Sequence, residues 1–482
     1  MIESIEPQLM WRNFVALNKV PRPSKKEERV IAFIKSFGEK LNLETIEDNT
    51  GNVLIKKAAS AGMEDRKKVI IQSHLDMVHQ KNNDTNFDFD QEGIKMFIDG
   101  DWVKAEGTTL GADNGIGVAS IMALLESTDI DHPAIEALFT IDEETGMTGA
   151  FGLQAGFLSG EILLNLDTED DDELTIGCAG GVNVSGEGSY EQQSKPAGFA
   201  SIELVLNGLS GGHSGMDIHK GLGNANKLMN RVLVAIQQES EVLIHRIEGG
   251  ELRNAIPRES KAWIAVSDQS KVEAVISKMR KILKAEYAET DPDLALESKV
   301  VEISDYVCSA DFMRKFMSAI YAIPVGIYRM SPSIAGMVQT SNNLAQVKMA
   351  NGKFEVLCLC RSSVDSEKLD EVNAISSAMA IIDAEVIADG DYPGWTPRPQ
   401  SDIVDIMSNL YTEMFNEQPK VMACHAGLEC GIIGSHYPKM DMVSFGPNIR
   451  GAHSPDEKVQ ISSVQKYWAF LLETLKRIPT TS

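Results

Sequence analysis

Cysteine is scarce in this sequence, with six residues in 482, and no two of them form a C-x-x-C pair. Neither a disulfide framework nor a structural zinc site built from cysteines is therefore expected. We expect the thiols to be free and buried, as in proteins of the reducing cytoplasm.

Long apolar segments and signs of targeting are also missing. No run of 18 apolar residues occurs, and the best stretch, 316–328, contains Pro324. The first seven residues, MIESIEP, are acidic and do not resemble a secretory signal. These features predict a cytoplasmic protein with no membrane partner.

Basic residues are outnumbered, with 45 Lys and Arg against 70 Asp and Glu, which gives a net charge of −25. Such a surface repels phosphate backbones and anionic lipid headgroups, which argues against a nucleic-acid or membrane-surface protein. No P-loop or dinucleotide-binding fingerprint is present either.

The chain is long enough for two or three domains. Two stretches rich in Gly and Pro, 186–196 and 389–399, are interpreted as linkers. They predict a catalytic domain in two parts, 1–186 and 394–482. The segment between them, 187–393, is expected to be an inserted lid or dimerisation-type domain.

The outer segments alternate strand-like and helix-like runs. Short apolar runs at 69–73, 135–141 and 162–166 are typical of buried strands, and 115–126 is long and apolar enough for a helix. The last segment repeats the pattern, with helices predicted over 403–415 and 464–475 and strands over 420–424 and 442–445. This order predicts an α/β sheet with helices on its faces.

The middle segment has a different order of predicted strands and helices. Strand-like runs at 201–207 and 354–360 are mixed with helix-like runs at 224–237, 271–287 and 367–382. This mixture predicts antiparallel strands with helices on one face, an α+β arrangement.

Acidic residues and histidines directly follow the strands of the outer segments. The clusters are His74-Leu-Asp76, Asp142-Glu143-Glu144, Asp167-Thr-Glu169 and the loop that contains His453, with Asp113 at the start of the predicted helix. Ligands bind at the carboxyl ends of strands in open α/β sheets, so we expect these clusters to meet at one rim. Each cluster alone is ordinary, but the combination is not.

Imidazole and carboxylate ligands suit zinc. One divalent ion could take His74 and Asp167, a second could take His453 and Glu144, and Asp113 could bridge the two. Glu143 would then remain as general base for an activated water, and Asp76 could fix the tautomer of His74.

In this order the motifs resemble those of the co-catalytic zinc peptidases, and specifically the aminoacyl-histidine dipeptidase (Xaa-His dipeptidase, peptidase D) group. The resemblance covers nearly the whole chain. It implies an α/β fold: a zinc-peptidase-like catalytic domain with a central mixed sheet flanked by helices, plus an inserted α+β lid domain. Many members of the wider family carry Lys soon after the bridging aspartate, whereas Asn114-Gly-Ile-Gly follows here. This difference points away from tripeptidases and acyl-amino-acid deacylases.

The resemblance also implies roles for individual residues. The metal ligands would be His74, Asp113, Glu144, Asp167 and His453, with Asp76 and Glu143 catalytic. Two divalent ions per chain are implied, with Zn²⁺ favoured and Co²⁺ or Mn²⁺ as substitutes.

The middle segment adds candidates by the same resemblance. His213, in Gly-Gly-His-Ser-Gly, would stabilise the oxyanion, with His219 as a competitor for that role. Asn254 and Arg361 would hold the polar ends of the substrate. The expected partner is a small peptide substrate, and a homodimer is left open.

Three alternatives stay open at this point. A related metallo-aminopeptidase or acyl-amino-acid deacylase would use the same metal site, and a non-catalytic homologue would bind metal without turnover. Gly208-Leu-Ser210-Gly-Gly212 also matches the G-x-S-x-G elbow of serine hydrolases, although the next helix is expected only near residue 224.

Overall fold

The computed structural model describes residues 1–303, 306–398 and 400–481. The chain divides into two structural units with these segments: unit 1 of Met1–Gly177, Pro397–Ala423 and Leu428–Ser482, and unit 2 of Cys178–Thr396 and Cys424–Gly427. The domain changes expected from the sequence are at 186/187 and 393/394.

The helices and strands are numbered along the chain. The first part of unit 1 contains α1 (Gln8–Asn18), α2 (Glu28–Lys40), β1 (Glu44–Glu47), β2 (Val53–Lys57), β3 (Val69–His74), β4 (Met96–Asp99), β5 (Trp102–Ala105), α3 (Ala112–Glu126), β6 (Ile135–Thr140), α4 (Glu143–Gly146), α5 (Thr148–Gly152), β7 (Ile162–Asn165) and β8 (Glu173–Cys178). Unit 2 contains β9 (Gly180–Ser189), β10 (Gln192–Ser194), β11 (Ala200–Asn207), β12 (Gly212–His213), α6 (Ala225–Gln237), β13 (Val242–Gly249), β14 (Ala255–Ile256), β15 (Ser260–Val266), α7 (Gln269–Glu286), β16 (Ala295–Val300), β17 (Tyr306–Cys308), α8 (Ala310–Ala322), β18 (Gly326–Met330), β19 (Val338–Ala350), β20 (Lys353–Ser362), α9 (Asp365–Met379) and β21 (Glu385–Tyr392). The second part of unit 1 contains α10 (Asp402–Phe415), β22 (Lys420–Cys424), α11 (Glu429–His436), β23 (Asp441–Ser444), β24 (Ile449–Arg450), β25 (Lys458–Gln460) and α12 (Ile461–Lys476). Short 3-10 helices span Ile2–Ser4, Ile218–Lys220 and Ala380–Ile382.

Unit 1 is built on a mixed sheet in the order β1-β2-β6-β3-β7-β23-β8-β22. The adjacent strands β6, β3, β7 and β23 are parallel to one another, whereas β2 is antiparallel to β6 and β8 is antiparallel to β23. All residues of β3, β6 and β7 are buried, as expected for parallel strands covered on both faces. The predicted α/β class with a central mixed sheet is confirmed.

Helix α3 is buried along most of its length. From Asn114 to Leu125 every residue is buried, and nearly all of these side chains are small or apolar. A helix that is apolar on all sides belongs in the interior, and α3 packs against β3 and α1. This packing fixes the position of the start of α3, where Asp113 lies with non-helical backbone angles.

Unit 2 contains an antiparallel sheet in the order β16-β11-β15-β13-β19-β20-β9-β21, with β18 paired to β19. Buried side chains of α6, α7, α8 and α9 join those of the strands in one apolar core. This arrangement matches the α+β class predicted for the middle segment.

Parts of the two stretches interpreted as linkers are strands of this sheet, so the linker interpretation is wrong for residues 186–189 and 389–392. The first overlaps β9, where a Cβ on Gly186 would lie 2.3 Å from Met379 Sδ and one on Gly188 would lie 2.5 Å from Phe354 Cζ. These glycines make room for neighbouring side chains and do not form turns. The second stretch overlaps β21, and its last position, 399, lies outside the described residues.

No helix in the described part of the chain is long and apolar enough to cross a bilayer.

Glu371, on α9, is an acidic residue inside unit 2. Its side chain is fully buried, and neither carboxyl oxygen has a hydrogen-bond partner among the described residues. Burial, followed by the nearby charge of Asp370, raises the pKa of Glu371 to about 8. The carboxyl group is therefore protonated in the folded protein at neutral pH.

This burial predicts a pH-dependent stability. In the unfolded chain the ordinary pKa of 4.5 applies, so above pH 4.5 folding requires Glu371 to take up a proton. The free energy of unfolding is therefore highest below pH 4.5 and falls as the pH rises to about 8. Between these limits Glu371→Gln should gain roughly a few kcal/mol in free energy of unfolding relative to wild type. Denaturant unfolding at a series of pH values measures this gain. The exposed Asp383→Asn is the control. A Glu371→Gln difference that stays constant with pH would contradict the prediction.

Candidate active site

The candidate residues of unit 1 lie where parallel strands end. His74 is the last residue of β3 and pairs in register with Thr140, the last residue of β6. Asn165 and Ser444 end β7 and β23 opposite each other. Since these strands are parallel, the segments that follow them meet at one edge of the sheet.

Asp113 lies between two histidines, one at the end of β3 and the other in the loop after β24. Its Oδ1 is 3.1 Å from His74 Nε2, and its Oδ2 is 3.3 Å from His453 Nε2. Asp167 Oδ1 lies 3.5 Å from the same nitrogen of His74, and Glu144 Oε2 lies 3.0 Å from that of His453. The structure thus brings the five candidate ligands together in two groups that share Asp113.

The chemistry of these residues fits divalent cations. Glu144 Oε1 is buried and has no hydrogen-bond partner in the described part of the chain, which is costly unless another group binds it. Ligand atoms of His74, Asp113 and Glu144 all lie within 4.8 Å of one another. Imidazoles combined with carboxylates form a donor set suited to zinc.

The electrostatics favour positive charge at the same place. Hydrogen bonds to Asp113 and Glu144 raise the pKa of His453 to about 11. Burial acts against the charge on His74, yet Asp167 and Asp113 raise the pKa of this histidine well above its ordinary value. The surrounding carboxylates therefore create a negative potential that a cation would neutralise.

The two groups differ in their access to solvent. The side chain of His74 is 1% exposed, whereas that of His453 is 58% exposed. A cation held by His453 and Glu144 would therefore exchange with solvent more readily than one held by His74 and Asp167.

Asp76 is a buried anchor for this region. It accepts hydrogen bonds from Ser24 Oγ at 2.8 Å and from the backbone N–H groups of Glu143 and Glu144 at 3.0 and 3.3 Å. Its Oδ1 is 3.3 Å from His74 Nδ1. Asp76 thus orients the ring of His74 and holds the first turn of α4.

Glu143 and Glu144 occupy that first turn. Glu143–Gly146 forms a single helical turn. Consecutive side chains differ by about 100° around a helix, so the two carboxylates still point in different directions. Burial, followed by the charge of Asp167, raises the pKa of Glu143 well above its ordinary value, although His74 acts in the opposite direction.

In unit 2, the loop after β12 fixes the tautomer of His213. The backbone N–H groups of Gly215 and Met216 donate to His213 Nδ1 at 3.2 and 3.0 Å. In the neutral imidazole the proton is therefore on Nε2, and this nitrogen is a hydrogen-bond donor. The competitor His219 lies exposed on the 3-10 helix Ile218–Lys220.

Arg361 lies beside this loop. It is 6% exposed, and its Nη1 donates to Tyr392 Oη at 3.1 Å. A Cβ on Gly215 would come within 3.1 Å of Arg361 Nε, so the glycine permits the close approach. Asn254 is exposed, and its backbone carbonyl accepts a hydrogen bond from Ser214 N–H at 2.8 Å.

His425 belongs to the same part of unit 2. Its Nε2 is 2.7 Å from Ser341 Oγ, and burial, with the nearby charge of Arg361, lowers its pKa to about 3. It is therefore a neutral group beside a buried guanidinium.

The geometry does not support the serine-hydrolase alternative. Ser210 Oγ donates to the carbonyl of Thr290 at 2.7 Å, and α6, the α-helix that follows, begins only at Ala225. The strand–turn–helix context of a nucleophile elbow is missing from this described segment.

Comparison with known proteins identifies the family. The model of Peptidase family M20/M25/M40 matches residues 70–477. The chain belongs to this peptidase family. It is 44% identical over 480 residues to the cytosol non-specific dipeptidase of Escherichia coli (strain K12), with 99% of each chain covered.

Solved structures agree with this membership. The crystal structure of aminoacylhistidine dipeptidase from Vibrio alginolyticus is 43% identical, has a TM-score of 0.94, and covers 100% of this chain and 99% of that one. The structure of aminopeptidase PepT from Bacillus cereus is 16% identical, has a TM-score of 0.57 and shares the fold over 98% of this chain and 99% of its own. The family resemblance of the motifs is confirmed, and the chain is an M20 peptidase.

Two buried residues of this M20 peptidase hold the loops of the site and are not predicted by the sequence motifs. Arg22 donates from Nη1 to the carbonyls of Leu75 and Asp76, both at 3.1 Å, and from Nη2 to that of Gly111 at 2.6 Å. Glu457 accepts from backbone N–H groups at the start of α3. Contacts with backbone groups leave no pattern in sequence, although the closeness of Glu457 to a candidate histidine could have drawn attention.

The shared position of Asp113 predicts a metal-dependent stability. Zinc added to the chelated protein should raise its unfolding temperature, by an amount equivalent to about 2.7 kcal/mol when zinc is at 100 times its dissociation constant. Asp113→Asn should abolish most of this rise, because both groups contain Asp113, and His453→Ala should abolish part of it. Calorimetry with and without zinc checks the prediction. His132→Ala, outside the site, is the control, and a full zinc response in Asp113→Asn would show that the prediction is wrong.

Proposed function

We propose that this peptidase is a metal-dependent dipeptidase that hydrolyses short peptides, with dipeptides of the Xaa-His type among its substrates. The observation that carries the proposal is the carboxylate of Asp113, which turns one oxygen toward His74 and the other toward His453. The names of the relatives from Escherichia coli and Vibrio alginolyticus support a dipeptide substrate. One relative is named a non-specific dipeptidase and the other an aminoacylhistidine dipeptidase. The proposed preference for a C-terminal histidine therefore rests on the family resemblance of the sequence motifs.

Two cations are part of the proposal. His74, Asp113 and Asp167 would hold one, and His453, Asp113 and Glu144 would hold the other, with zinc favoured and cobalt or manganese as substitutes. When bound, such ions polarise a peptide carbonyl and make water a better nucleophile at neutral pH.

Glu143 is proposed as the general base. Burial raises the pKa of Glu143 above its ordinary value, which makes its carboxylate a stronger base. Its carboxylate would take a proton from the attacking water and give it to the nitrogen of the departing amine. The hydrogen bond from its backbone N–H to Asp76 holds the backbone of the turn that carries this side chain.

Unit 2 is proposed to bind the polar groups of the substrate. The N–H at Nε2 of His213 would donate to the oxygen that becomes negative when water adds to the carbonyl. The guanidinium of Arg361 would bind the terminal carboxylate, which its fork of N–H groups fits. Asn254 is exposed and would bind a further polar end of the dipeptide.

The proposal also includes a cytoplasmic location, which the name of the Escherichia coli relative supports. A homodimer is kept as a candidate assembly state, and sedimentation velocity on the full chain tests it.

The role of Glu143 predicts a separation of turnover from metal binding. Glu143→Ala should lose about a hundredfold or more in kcat, because a general base is removed, while metal content and unfolding temperature stay close to wild type. Steady-state kinetics, elemental analysis and calorimetry measure the three quantities. The exposed Glu161→Gln is the control, and wild-type turnover in Glu143→Ala would rule out this mechanism.

Substrate class is tested with a panel of Xaa-His dipeptides, other dipeptides, longer peptides and acyl-amino acids. Each is assayed with the protein as purified, after chelation and after zinc readdition. Turnover of dipeptides that disappears with chelation and returns with zinc is expected. Efficient cleavage of long peptides or of acyl-amino acids would instead favour the metallo-aminopeptidase or deacylase alternative.

The proposed contact of Arg361 predicts a dependence on the substrate's terminal charge. Arg361→Met should raise KM for a free dipeptide about tenfold or more, because a charged hydrogen bond is lost, and should change KM for the dipeptide amide far less. Kinetics on both substrates measure the difference. Arg231→Met, which removes a surface ion pair with Glu286 in the same unit, is the control. Equal effects on acid and amide would contradict the assignment.

A further inference from the structure

Glu457 binds four consecutive backbone N–H groups at the loop that carries Asp113. Its Oε2 accepts from Leu110 at 2.7 Å and Gly111 at 2.9 Å, and its Oε1 accepts from Ala112 at 2.7 Å and Asp113 at 3.2 Å. The residue is 2% exposed, so these bonds are not replaced by water. One buried carboxylate thus fixes the backbone up to the candidate bridging aspartate.

Arg22 holds the same loop through a carbonyl. Its Nη2 donates to the carbonyl of Gly111 at 2.6 Å. Gly111 has a φ of +69°, and a Cβ there would lie 2.5 Å from Arg22 Nη2, so only glycine allows this approach. The loop is therefore bound by an anion at its N–H groups and by a cation at a carbonyl.

Glu457 also belongs to the loop that carries His453. Its own N–H donates to the carbonyl of Ser454, the residue after His453, at 3.1 Å. The same residue therefore joins the loop of Asp113 to the loop of His453, which are far apart in sequence.

We propose that Glu457 is a positioning residue for metal binding, which aims the carboxylate of Asp113 between His74 and His453 by binding the N–H groups of residues 110–113. This inference rests on the proposed two-metal function. Carboxylates that orient metal ligands from outside typically change metal affinity or activity about 10- to 100-fold when removed.

A purely structural role is the competing explanation, since α3 begins in this loop and unpaired N–H groups at a helix start are costly in any buried helix. The two roles differ in what they affect. A structural role lowers stability alone, whereas a positioning role changes metal affinity and the coordination geometry.

Glu136 offers a matched control. It is also buried, at 1% exposure, and it accepts from the backbone N–H groups of Ser159 and Gly160 at 2.8 and 2.9 Å. It lies near the start of β6, whereas the candidate ligands follow the ends of the strands. Glu136→Gln therefore removes a comparable buried carboxylate away from the site.

The experiment compares wild type, Glu457→Gln, Glu457→Asp and Glu136→Gln. Zinc affinity is measured by competition with a chelator, the visible spectrum is recorded after cobalt substitution, and kcat and KM are determined for one dipeptide. Glu457→Gln should bind zinc about tenfold or more weakly, show a changed cobalt spectrum and lose kcat with KM nearly unchanged. Glu457→Asp, which keeps the charge, should recover part of each effect.

The outcomes separate the inference from the proposed function. Wild-type zinc affinity and cobalt spectrum in Glu457→Gln would overturn the inference, as would equal changes in Glu136→Gln. If Glu457→Gln does not fold, the same readings on Glu457→Asp decide the question. A wild-type protein that hydrolyses dipeptides without any metal would instead overturn the proposed function.

Discussion

Repulsion among buried carboxylates is the constraint on which unit 1 depends. Burial, followed by the charges of Asp113 and Asp167, raises the pKa of Glu169 to about 8, and burial raises that of Glu429 to about 8. Several acidic groups in one desolvated region do not all ionise unless positive charge or hydrogen-bond donors offset them. The region is therefore built to take up cations, and its histidines carry raised pKa values for the same reason.

Backbone N–H groups provide the rest of the compensation, and they do so at two helix starts. Asp76 binds the first N–H groups of α4, and Glu457 binds those at the start of α3. A helix start carries unpaired N–H groups and a partial positive charge, so it suits an anion. The proposed base Glu143 lies in the first turn of α4, and the proposed bridge Asp113 lies, with non-helical backbone angles, directly before the regular part of α3. The hydrogen bonds that Asp76 and Glu457 accept from these N–H groups thus also fix the backbone positions of Glu143 and Asp113.

Much of unit 1 could be predicted from the sequence because its chemistry follows its strands. The apolar runs before His74 and Asp167 correspond to β3 and β7, and parallel strands bring whatever follows them to one edge. Arg22 could not be predicted in this way, because its partners are carbonyl groups that every residue possesses. The antiparallel partners of the middle segment, such as β19, also escaped prediction, since pairing between distant strands depends on contacts that local periodicity does not encode.

Glycine explains the clearest failure of the sequence analysis. A cluster of glycines and prolines usually marks a turn, yet Gly186 and Gly188 lie inside β9 because side chains from other elements occupy the space where a Cβ would be. Gly215 does the same for Arg361, and Gly111 does so for Arg22. In this chain such glycines allow large side chains to approach the backbone closely, and two of them lie beside residues proposed to bind substrate or to hold the metal loop. A glycine of this kind is therefore better interpreted by what packs against it than by the turn that it could form.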